Sequence, residues 1–314
     1  MLYFLIRFFQ FCLYAVVLYV LILPLYAYLT PRFLTKNVYY PKGEVGCSFQ
    51  RFSEAKMADP VDVLFLGSSH AYLGFDVRIF EAAGLRTFNL GSTSQTHVQT
   101  QMLLRRYLDR LSPKLVVYEV YPEIFAIDGV ESALDLIAND QLDGATLRMV
   151  TTTNHPSVWN SLWYACWLRA LQLDPPVANA CDQGDYRYVT GGYVERTYAE
   201  NTELVPNDTI HLHRRKEQLR AFARNVDRIQ RSGAALQLVI APVTEQLRTR
   251  FTNWDEIATD LTAYAPLWEY NGRLELSNRI DFFDRDHLNQ IGVEKFNGQL
   301  LDDLRNSYPS LFLQ

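Results

Sequence analysis

The chain has 314 residues, of which 48% are hydrophobic, and its net charge at neutral pH is -5. This length suffices for one large domain, or for one domain that carries an insertion. The acidic balance, with a pI near 5.7, argues against nucleic-acid binding, which usually needs a basic face. The sequence contains no Walker-type phosphate loop and no GxGxxG motif after a strand. We therefore expect no nucleic-acid partner and no cofactor.

The first pattern along the chain is an apolar segment at residues 8–29, in which Gln10 is the only strongly polar interruption. A helix of this length crosses the roughly 30 Å hydrocarbon core of a bilayer. Four tyrosines suit the interfaces at its ends, and they are Tyr14, Tyr19, Tyr26 and Tyr28. No small-x-small cleavage site follows, so we expect a retained transmembrane anchor over residues 1–30 rather than a cleaved signal peptide. A buried core helix is the other alternative.

The charges that flank this segment give a weaker signal about its orientation. Arg7 precedes the segment, whereas three basic residues follow it, namely Arg32, Lys36 and Lys42. Counted alone, the positive-inside rule slightly favours a cytoplasmic domain, but large downstream domains translocate largely regardless of such charges. The flanking charges therefore do not fix the side on which the domain lies.

The four cysteines divide between the two parts of the chain. Cys12 lies in the apolar segment, and Cys47, Cys166 and Cys181 follow it. Cys166 and Cys181 could form a disulfide across a loop if the domain faces an oxidising compartment. The alternative is three ordinary buried thiols. The absence of a Cys-x-x-Cys pair argues against a structural zinc site.

The remaining chain divides into a connector and an α/β domain. Residues 31–60 have prolines and little periodicity, which predicts a connector between membrane and domain. We predict strands at residues 61–66, 87–90, 115–120, 236–241 and 280–283. Helices are predicted at about residues 76–83, 96–111, 214–232, 254–264 and 290–305. Residues 121–210 lose the alternation and are interpreted as an insertion, helical between about 158 and 171.

This alternation predicts a three-layer α/β sandwich over residues 61–314, with helices on both faces of a central, mostly parallel sheet. Right-handed crossovers place the carboxyl ends of the strands along one edge of the sheet. Residues that follow the predicted strands should therefore converge there, although they are far apart in sequence. They are Ser69, Gly91, Glu119, Pro242 and Asp284.

The predicted edge contains the parts of an activated serine. Ser69 follows the first strand in the segment Gly67-Ser68-Ser69-His70, at a position where α/β folds bind their ligands. A neutral serine needs a base within hydrogen-bonding distance, and His287 can serve if an acid orients its second nitrogen. Asp284 is the predicted acid, and Asp286 is the alternative. The competing interpretation is that the serines only cap a helix.

An acyl-transfer reaction also needs donors for a developing oxyanion. We expect the backbone N–H groups of Ser69 and Gly91 to be these donors, because a residue without a side chain allows close approach. A simple turn after the strand is the alternative role for Gly91. Further candidates for substrate binding are His70, Thr244 and Asn289. Asn289 could instead brace the catalytic loop through its backbone.

Two other patterns have competing interpretations. Trp159, Trp163 and Trp167 recur at a spacing of four residues, which makes one stripe on a helix. This spacing favours packing against the domain or a partner over stacking on sugar rings. His211 and His213 resemble a metal-binding pair, but no third ligand is identified, so we predict no metal site.

The serine, glycine and histidine motifs resemble those of the SGNH (GDSL-type) hydrolase superfamily. Ser69 after an apolar strand, Gly91 after the second strand and Asp284-x-x-His287 before the last helix follow the order of that family's blocks one, two and five. The resemblance covers about residues 61–306, apart from the insertion. It implies a flavodoxin-like α/β fold and a serine esterase or acyltransferase activity.

Two positions depart from the family pattern. Ser68 stands where the first block usually has Asp, and the third strand ends at Glu119, where the third block usually supplies an oxyanion-hole Asn. An ionised Glu cannot donate a hydrogen bond. Glu119 is therefore protonated, is replaced as a donor by another group, or binds a different part of the substrate.

The N-terminal anchor, the Gly67-Ser68-Ser69 block and the sequence from Asp284 to Asn289 narrow the resemblance to an envelope-modifying branch. That branch includes the teichoic-acid D-alanylation protein and the O-acetylation proteins of bacterial exopolysaccharides. The resemblance implies a single-pass protein of the bacterial inner membrane with an extracytoplasmic domain. It also implies a membrane-bound O-acyltransferase partner and an envelope glycan as acceptor.

Three functions follow as hypotheses from these patterns. The first is serine-dependent O-acyl transfer to an envelope glycan through an acyl-enzyme on Ser69. The second is an extracytoplasmic esterase that removes acyl groups. The third is a non-catalytic adaptor that uses the fold to hold a glycan or a membrane acyltransferase, which the departure at Glu119 makes credible.

Overall fold

The structure is a computed structural model that describes residues 1–35, 38, 40–43, 46–177, 181, 186–196, 198–203, 206 and 208–313. Lys36, one of the basic residues after the apolar segment, lies outside the described residues. The described strands are β1 (Val63–Leu66), β2 (Thr87–Asn89), β3 (Leu115–Glu119), β4 (Tyr186–Val189), β5 (Tyr193–Arg196), β6 (Ala235–Ile240) and β7 (Leu267–Glu269).

The helices before the insertion are α1 (Leu2–Leu29), α2 (Ser48–Ala55), α3 (Ser69–Tyr72), α4 (Val77–Ala82) and α5 (His97–Leu111). The insertion contains α6 (Val130–Asn139), α7 (Gly144–Thr153) and α8 (Pro156–Ala170). The helices after it are α9 (Lys216–Arg231), α10 (Glu245–Arg248), α11 (Trp254–Leu261) and α12 (Gln290–Ser307). Short 3-10 helices cover Arg32–Leu34, Pro122–Phe125 and Pro309–Phe312.

The central sheet contains five strands in the order β2-β1-β3-β6-β7, and every neighbouring pair is parallel. Leu64 aligns with Phe88 on one side and with Val116 on the other. Strands β1 and β3 are buried along their whole length, which is typical of parallel strands covered on both faces. The predicted α/β fold with a central parallel sheet is confirmed.

The two faces of the sheet carry separate apolar layers because successive side chains of a strand point in opposite directions. Leu64 and Leu66 of β1 belong to a buried cluster with residues of α5, α9 and α11. Val63 and Phe65 belong to a second cluster with residues of α4 and α12. Burial of both faces by helices produces the three layers and removes most of the sheet's apolar surface from water.

The strand predicted at residues 280–283 is wrong. The fifth strand of the sheet is β7, whose three side chains are all half-buried. A short edge strand of this kind has no continuous apolar run, so the sequence pattern does not indicate it. Phe282 instead makes an isolated antiparallel bridge with Leu288. This bridge closes the loop that carries Asp284 and His287.

The segment predicted as a connector contains an ordered helix. Helix α2 buries Phe52 and Arg51 completely, and Phe52 belongs to the same apolar cluster as α5. The Arg51 Nε donates to the carbonyl of Gly192 at 2.8 Å. The chain is therefore part of the domain from residue 48 onward, before the first strand. The sequence pattern did not indicate that helix α2 is buried.

Helix α1 is the apolar helix that the sequence predicted at the N-terminus. Its mean hydropathy is 2.3 over an 18-residue window, of which 6% is buried. Its length and composition are sufficient to cross a membrane. The tryptophan stripe of α8 packs against its C-terminal half, where Trp163 Nε1 donates to the carbonyl of Val20 at 2.9 Å and the rings of Trp167 and Tyr28 lie 5.7 Å apart. Packing, rather than sugar stacking, therefore accounts for two of the three tryptophans.

The insertion also contains an antiparallel hairpin that is separate from the central sheet. Among the described strands, β4 and β5 pair only with each other. Tyr193 and Val194 of β5 are fully buried against the domain. The hairpin is thereby held against the same edge of the domain as the loop that contains Asp284 (residues 284–287).

The disulfide differs from both sequence-based alternatives. Cys181 pairs with Cys47, which precedes α2, and their Cα atoms are 5.3 Å apart. Cys166 is a free, exposed thiol on α8, so the predicted pair of Cys166 with Cys181 is wrong. The two partners are separated by 134 residues, and sequence proximity therefore suggested the wrong pair.

Candidate active site

The nucleophile position is built by the end of β1 and the start of α3. Gly67 has a φ of +146° and a Cβ there would lie 2.7 Å from the Cβ of Glu119, so this position requires glycine. The Ser68 Oγ accepts the His70 N–H at 3.3 Å and caps α3. The capping role predicted as an alternative therefore belongs to Ser68, and the hydroxyl of Ser69 is left for other partners.

The three predicted catalytic side chains meet in one chain of hydrogen bonds. The Nε2 of His287 lies 2.8 Å from the Oγ of Ser69, across 218 residues of sequence. The Nδ1 of His287 lies 3.0 Å from each carboxylate oxygen of Asp284. This arrangement of nucleophile, base and orienting acid is the geometry that activates a serine.

Asp286 also lies close to the imidazole but has a poorer position. Its Oδ1 is 3.2 Å from His287 Nδ1, without the hydrogen-bond geometry that both oxygens of Asp284 have. Asp284 also accepts the backbone N–H groups of Asp286 and His287, at 3.1 and 2.8 Å. These bonds fix its carboxylate in place, and the geometry favours Asp284 as the orienting acid.

The electrostatics of this pair favour an ionised state for both partners. Burial opposes the charge on His287, but the hydrogen bonds to Asp284 and the negative charges of Asp286 and Asp284 outweigh it and raise the pKa of the imidazole to about 9. Burial likewise opposes the charge on Asp284, but the bonds from His287, Asp286 and Arg196 hold its pKa well below the ordinary value. Both pKa shifts favour the ion pair over the neutral pair.

Thr244 and Asn289 brace the loop at residues 284–287 from outside the site. The Thr244 Oγ1 donates to the carbonyl of Arg285 at 2.7 Å, and its own N–H donates to the same carbonyl at 3.1 Å. The Asn289 Nδ2 donates to the carbonyls of Ile280 and Phe282, at 2.6 and 3.3 Å. Both side chains are fully buried. The structure therefore places them in the bracing role that the sequence gave as the alternative for Asn289, and not at a substrate surface.

His70 and Glu119 form a buried layer directly behind the nucleophile. Glu119 Oε2 accepts the Ser68 hydroxyl at 3.2 Å, and its Oε1 lies 3.7 Å from His70 Nδ1. The His70 ring lies 4.2 Å from the ring of Tyr121 and 5.1 Å from that of His287. Glu119 is 2% exposed, so it supports the nucleophile loop and does not face substrate. His70 is closer to the reacting atoms and lines the small depression beside His287.

The two predicted oxyanion donors have different surroundings. Ser69 is the first residue of α3, so its N–H has no carbonyl partner within that helix. The N–H of Gly91 donates to the Asn89 Oδ1 at 3.1 Å. A Cβ at Gly91 would lie 2.9 Å from the carbonyl of Ser68, so close packing on the nucleophile turn explains the glycine. An oxyanion role for Gly91 requires that its bond to Asn89 be shared or broken.

Arg196, Asn201 and Asn89 contribute to the site without having been predicted. Arg196 Nη1 donates to Asp284 Oδ2 at 2.8 Å. Asn201 Nδ2 donates to the Asp284 carbonyl at 3.1 Å, and Asn89 Nδ2 donates to the carbonyl of Ala71 at 2.7 Å, which ties β2 to α3. Arg196 and Asn201 lie in the insertion, where no motif indicated them. Asn89 could have been noticed as an amide at the end of a buried strand.

Metal binding would compete with the hydrogen bonds of this site. The potential ligand atoms of His70, Asp286 and His287 lie within 4.8 Å of one another. A cation bound by all three would take His287 away from Ser69 and Asp284. His211 and His213 line a separate cavity of about 850 Å³, and among the described residues they belong to no group of three possible ligands.

Comparisons with known proteins add little to this geometry. No protein-family model matches the chain, and no curated protein matches it. One similar crystal structure is a protein designated an acylhydrolase, from Bacteroides fragilis NCTC 9343, with a TM-score of 0.42 and 16% identity over 82% of this chain and 96% of that one. Another is a GDSL-like lipase from Bacteroides thetaiotaomicron VPI-5482, with a TM-score of 0.42 and 13% identity over 82% and 98%. At these TM-scores and sequence identities, the similarities give no information about function. The function is inferred from the geometry of the site.

Proposed function

We propose that this protein is a membrane-anchored serine enzyme that transfers an O-acyl group to a glycan of the cell envelope. The observation that carries the proposal is the 2.8 Å contact between Ser69 Oγ and His287 Nε2, with Asp284 on the other ring nitrogen. The resemblance to the SGNH superfamily, noted from the same residues, is consistent with this site. The choice of glycan, of acyl group and of a membrane-bound O-acyltransferase partner rests on the envelope branch of that resemblance.

In the proposed mechanism, the Ser69 oxygen attacks the carbonyl carbon of an acyl ester or thioester. His287, in its neutral form, takes the serine proton as the bond forms, and Asp284 stabilises the resulting imidazolium. The N–H of Ser69 faces the developing oxyanion. The leaving group takes the proton from His287, and an acyl-enzyme on Ser69 remains. His287 then removes the proton of the acceptor hydroxyl as its oxygen attacks the acyl carbonyl. It returns this proton to the Ser69 oxygen as the bond between serine and acyl group breaks.

Two further features support the proposed location. The Cys47–Cys181 disulfide fits an oxidising compartment, since cytosolic proteins rarely keep such bonds. Helix α1 is long and apolar enough to anchor the protein in the inner membrane. An enzyme that receives its acyl group from a membrane partner would need this tether.

The second candidate function is an esterase that releases the acyl group to water. Ser69 is half-exposed, and the depression beside it is small and is bordered by Gly74 and Pro242. Water can therefore reach an acyl-enzyme unless an acceptor or a partner covers it. Release of acetate from small esters by the full-length protein, without transfer to added oligosaccharide, would favour this function.

The experiment that tests both candidates is labelling of the full-length protein in detergent with a fluorophosphonate, followed by mass-spectrometric mapping of the adduct. We expect an adduct on Ser69 that is lost in His287→Ala and persists in Ser68→Ala, at the neighbouring serine that caps α3 and donates to Glu119. Absence of an adduct from the folded wild-type protein would contradict an activated serine and favour the adaptor hypothesis.

A further inference from the structure

The carboxylate of Asp284 has partners on both sides. His287 approaches from one side, and Arg196 Nη1 donates to Oδ2 from the other at 2.8 Å. Arg196 is 9% exposed, so the cation of this ion pair is largely shielded from water, whereas the side chain of Asp284 is 25% exposed. A charge-assisted bond in such surroundings is stronger and more directional than one at a surface.

Arg196 is itself held in one orientation. Its Nη2 donates to the Tyr186 hydroxyl at 2.6 Å. Its guanidinium carbon lies 3.8 Å from the centre of the Phe283 ring and 5.0 Å from that of Tyr186. A planar guanidinium stacked on aromatic rings loses little further freedom when it bonds a carboxylate. The cation is therefore positioned before it meets Asp284.

Arg196 belongs to the insertion and not to the central α/β sheet. Arg196 is the last residue of β5, and Tyr186 is the first residue of β4. The hairpin is buried through Tyr193 and Val194. Cys181, which precedes the hairpin, is bonded to Cys47. The insertion thus places a fixed positive charge beside a catalytic triad whose three residues all lie outside the insertion.

We propose that Arg196 is a positioning residue that holds Asp284 in the orientation required by His287, so that the insertion completes the catalytic site. This inference rests on the proposed function, because it concerns activation of Ser69. Without Arg196, the Oδ2 of Asp284 loses its guanidinium donor, and the carboxylate can turn about Oδ1, which the backbone N–H groups of Asp286 and His287 still hold. Misplacement of a catalytic group by about 1 Å can cost about 100-fold in rate.

The test compares three variants of the full-length protein in detergent. Arg196→Gln removes the charge, and Arg196→Lys keeps the charge but not the two-sided fork. Arg187→Gln is the matched control, since Arg187 is an exposed arginine on the same hairpin. The rate constant for fluorophosphonate labelling of Ser69 is measured against pH, and near-UV circular dichroism reports on the fold of each variant.

We expect Arg196→Gln to label about 10- to 100-fold more slowly than the wild type, Arg196→Lys to recover part of this loss, and Arg187→Gln to label normally. The pH midpoint of labelling should also fall in Arg196→Gln. A carboxylate of Asp284 that turns away from His287 stabilises the imidazolium less, so the imidazole loses its proton at lower pH. The other charged or titratable groups that face His287 are Asp286 on its own loop and His70 on α3, with Glu119 behind it on β3.

A folded Arg196→Gln protein that labels at the wild-type rate with the wild-type midpoint would overturn the inference. A second measurement separates this result from failure of the proposed function. If the wild type does not label at all, the serine hypothesis fails, and the His287 ring is then titrated by NMR with labelled histidine. A downward shift of its midpoint in Arg196→Gln but not in Arg187→Gln would support the positioning of Asp284 by Arg196, and an unchanged or raised midpoint would overturn it.

Discussion

The two halves of the candidate site are held by different forces. Ser69 follows an interior strand of the five-stranded sheet, β1, which is bonded to β2 and β3 along its backbone. Asp284 and His287 lie on a loop that does not follow any strand of that sheet. The loop is fixed mainly by hydrogen bonds from the side chains of Thr244, Asn289 and Arg196. The nucleophile is thus positioned by the fold, and the acid and base by individual hydrogen bonds.

This difference teaches where the site is sensitive to change. A sheet distributes its hydrogen bonds over many residues, so loss of one side chain near Ser69 leaves the backbone in place. The loop at residues 284–287 depends on a few buried bonds, each of which is costly to leave unsatisfied. We expect single substitutions around the loop to reduce activity more than equally buried substitutions around the nucleophile.

The largest expected effect comes from the acid itself. Asp284→Asn should lower the rate of fluorophosphonate labelling by about 10³- to 10⁴-fold, because an amide no longer holds His287 in the required tautomer. The matched control is Asp286→Asn, which alters the other carboxylate near the imidazole and should change the rate less than about tenfold. Equal losses in both variants would show that the two carboxylates share the role and would remove the distinction between them.

The attachment of the insertion should contribute the next largest effect. Cys181→Ser removes the Cys47 disulfide, which closes a separation of 134 residues, and should lower the free energy of unfolding by about 3 kcal/mol. Cys166→Ser, at the free and exposed thiol, is the control and should leave stability unchanged. Urea unfolding of the oxidised proteins measures both. A stable Cys181→Ser protein would mean that packing alone holds the hairpin.

The ion pair between Asp284 and His287 predicts a pH dependence of stability. Folding raises the pKa of His287 from 6.5 to about 9, so the protonated imidazole stabilises the native state. This contribution is fully present below pH 6.5 and is lost as the pH rises through 9. It amounts to about 3 kcal/mol.

The pH dependence is measured as the free energy of unfolding at pH 6 and at pH 10, in the wild type and in His287→Gln. The wild type should lose about 3 kcal/mol more than the variant over this interval. The labelling rate should meanwhile increase up to about pH 9, because the neutral imidazole is the form that accepts the serine proton. Parallel stability curves for the two proteins would show that the native site does not hold the extra proton.

Sequence patterns predicted most strands of the central sheet and the long helices that pack on it. The apolar runs of β1, β3 and β6 indicated buried parallel strands, and the helical periodicity of α5 and α12 matched the structure closely. Ser69, Asp284 and His287 were found together because their types and spacing carry a chemical requirement. Such features depend on local periodicity and reaction chemistry, which a single sequence contains.

The rest depended on contacts between distant segments. Arg196 bonds to Asp284 across 88 residues, and nothing in the sequence around it distinguishes it from a surface arginine. The Cys47–Cys181 pair and the burial of α2 have the same origin. Glu119 was singled out as a departure from a family pattern, and only the structure placed it behind Ser68. Long-range pairing is a property of the fold and leaves no periodic signal.

Two buried amide side chains of α12, Asn289 at its N-terminus and Asn297 in its middle, allow a matched comparison of the loop at residues 284–287 with the nucleophile turn. This comparison has the smallest expected effect. Asn289 bonds to the carbonyls of Ile280 and Phe282, at the base of the loop at residues 284–287. Asn297 donates to the carbonyl of Gly74 at 2.6 Å and accepts the N–H of Asp76 at 2.9 Å, on the nucleophile side.

Each substitution to alanine leaves buried backbone groups unsatisfied and should cost about 2 kcal/mol of stability. If side chains hold the loop at residues 284–287 and the sheet holds the turn that carries Ser69, the two variants should differ in activity although they match in stability. Asn289→Ala should label Ser69 about tenfold more slowly, whereas Asn297→Ala should label at nearly the wild-type rate. Equal labelling rates in two equally destabilised proteins would mean that the loop and the nucleophile turn move as one unit, and the sheet would then have no special part in fixing the serine.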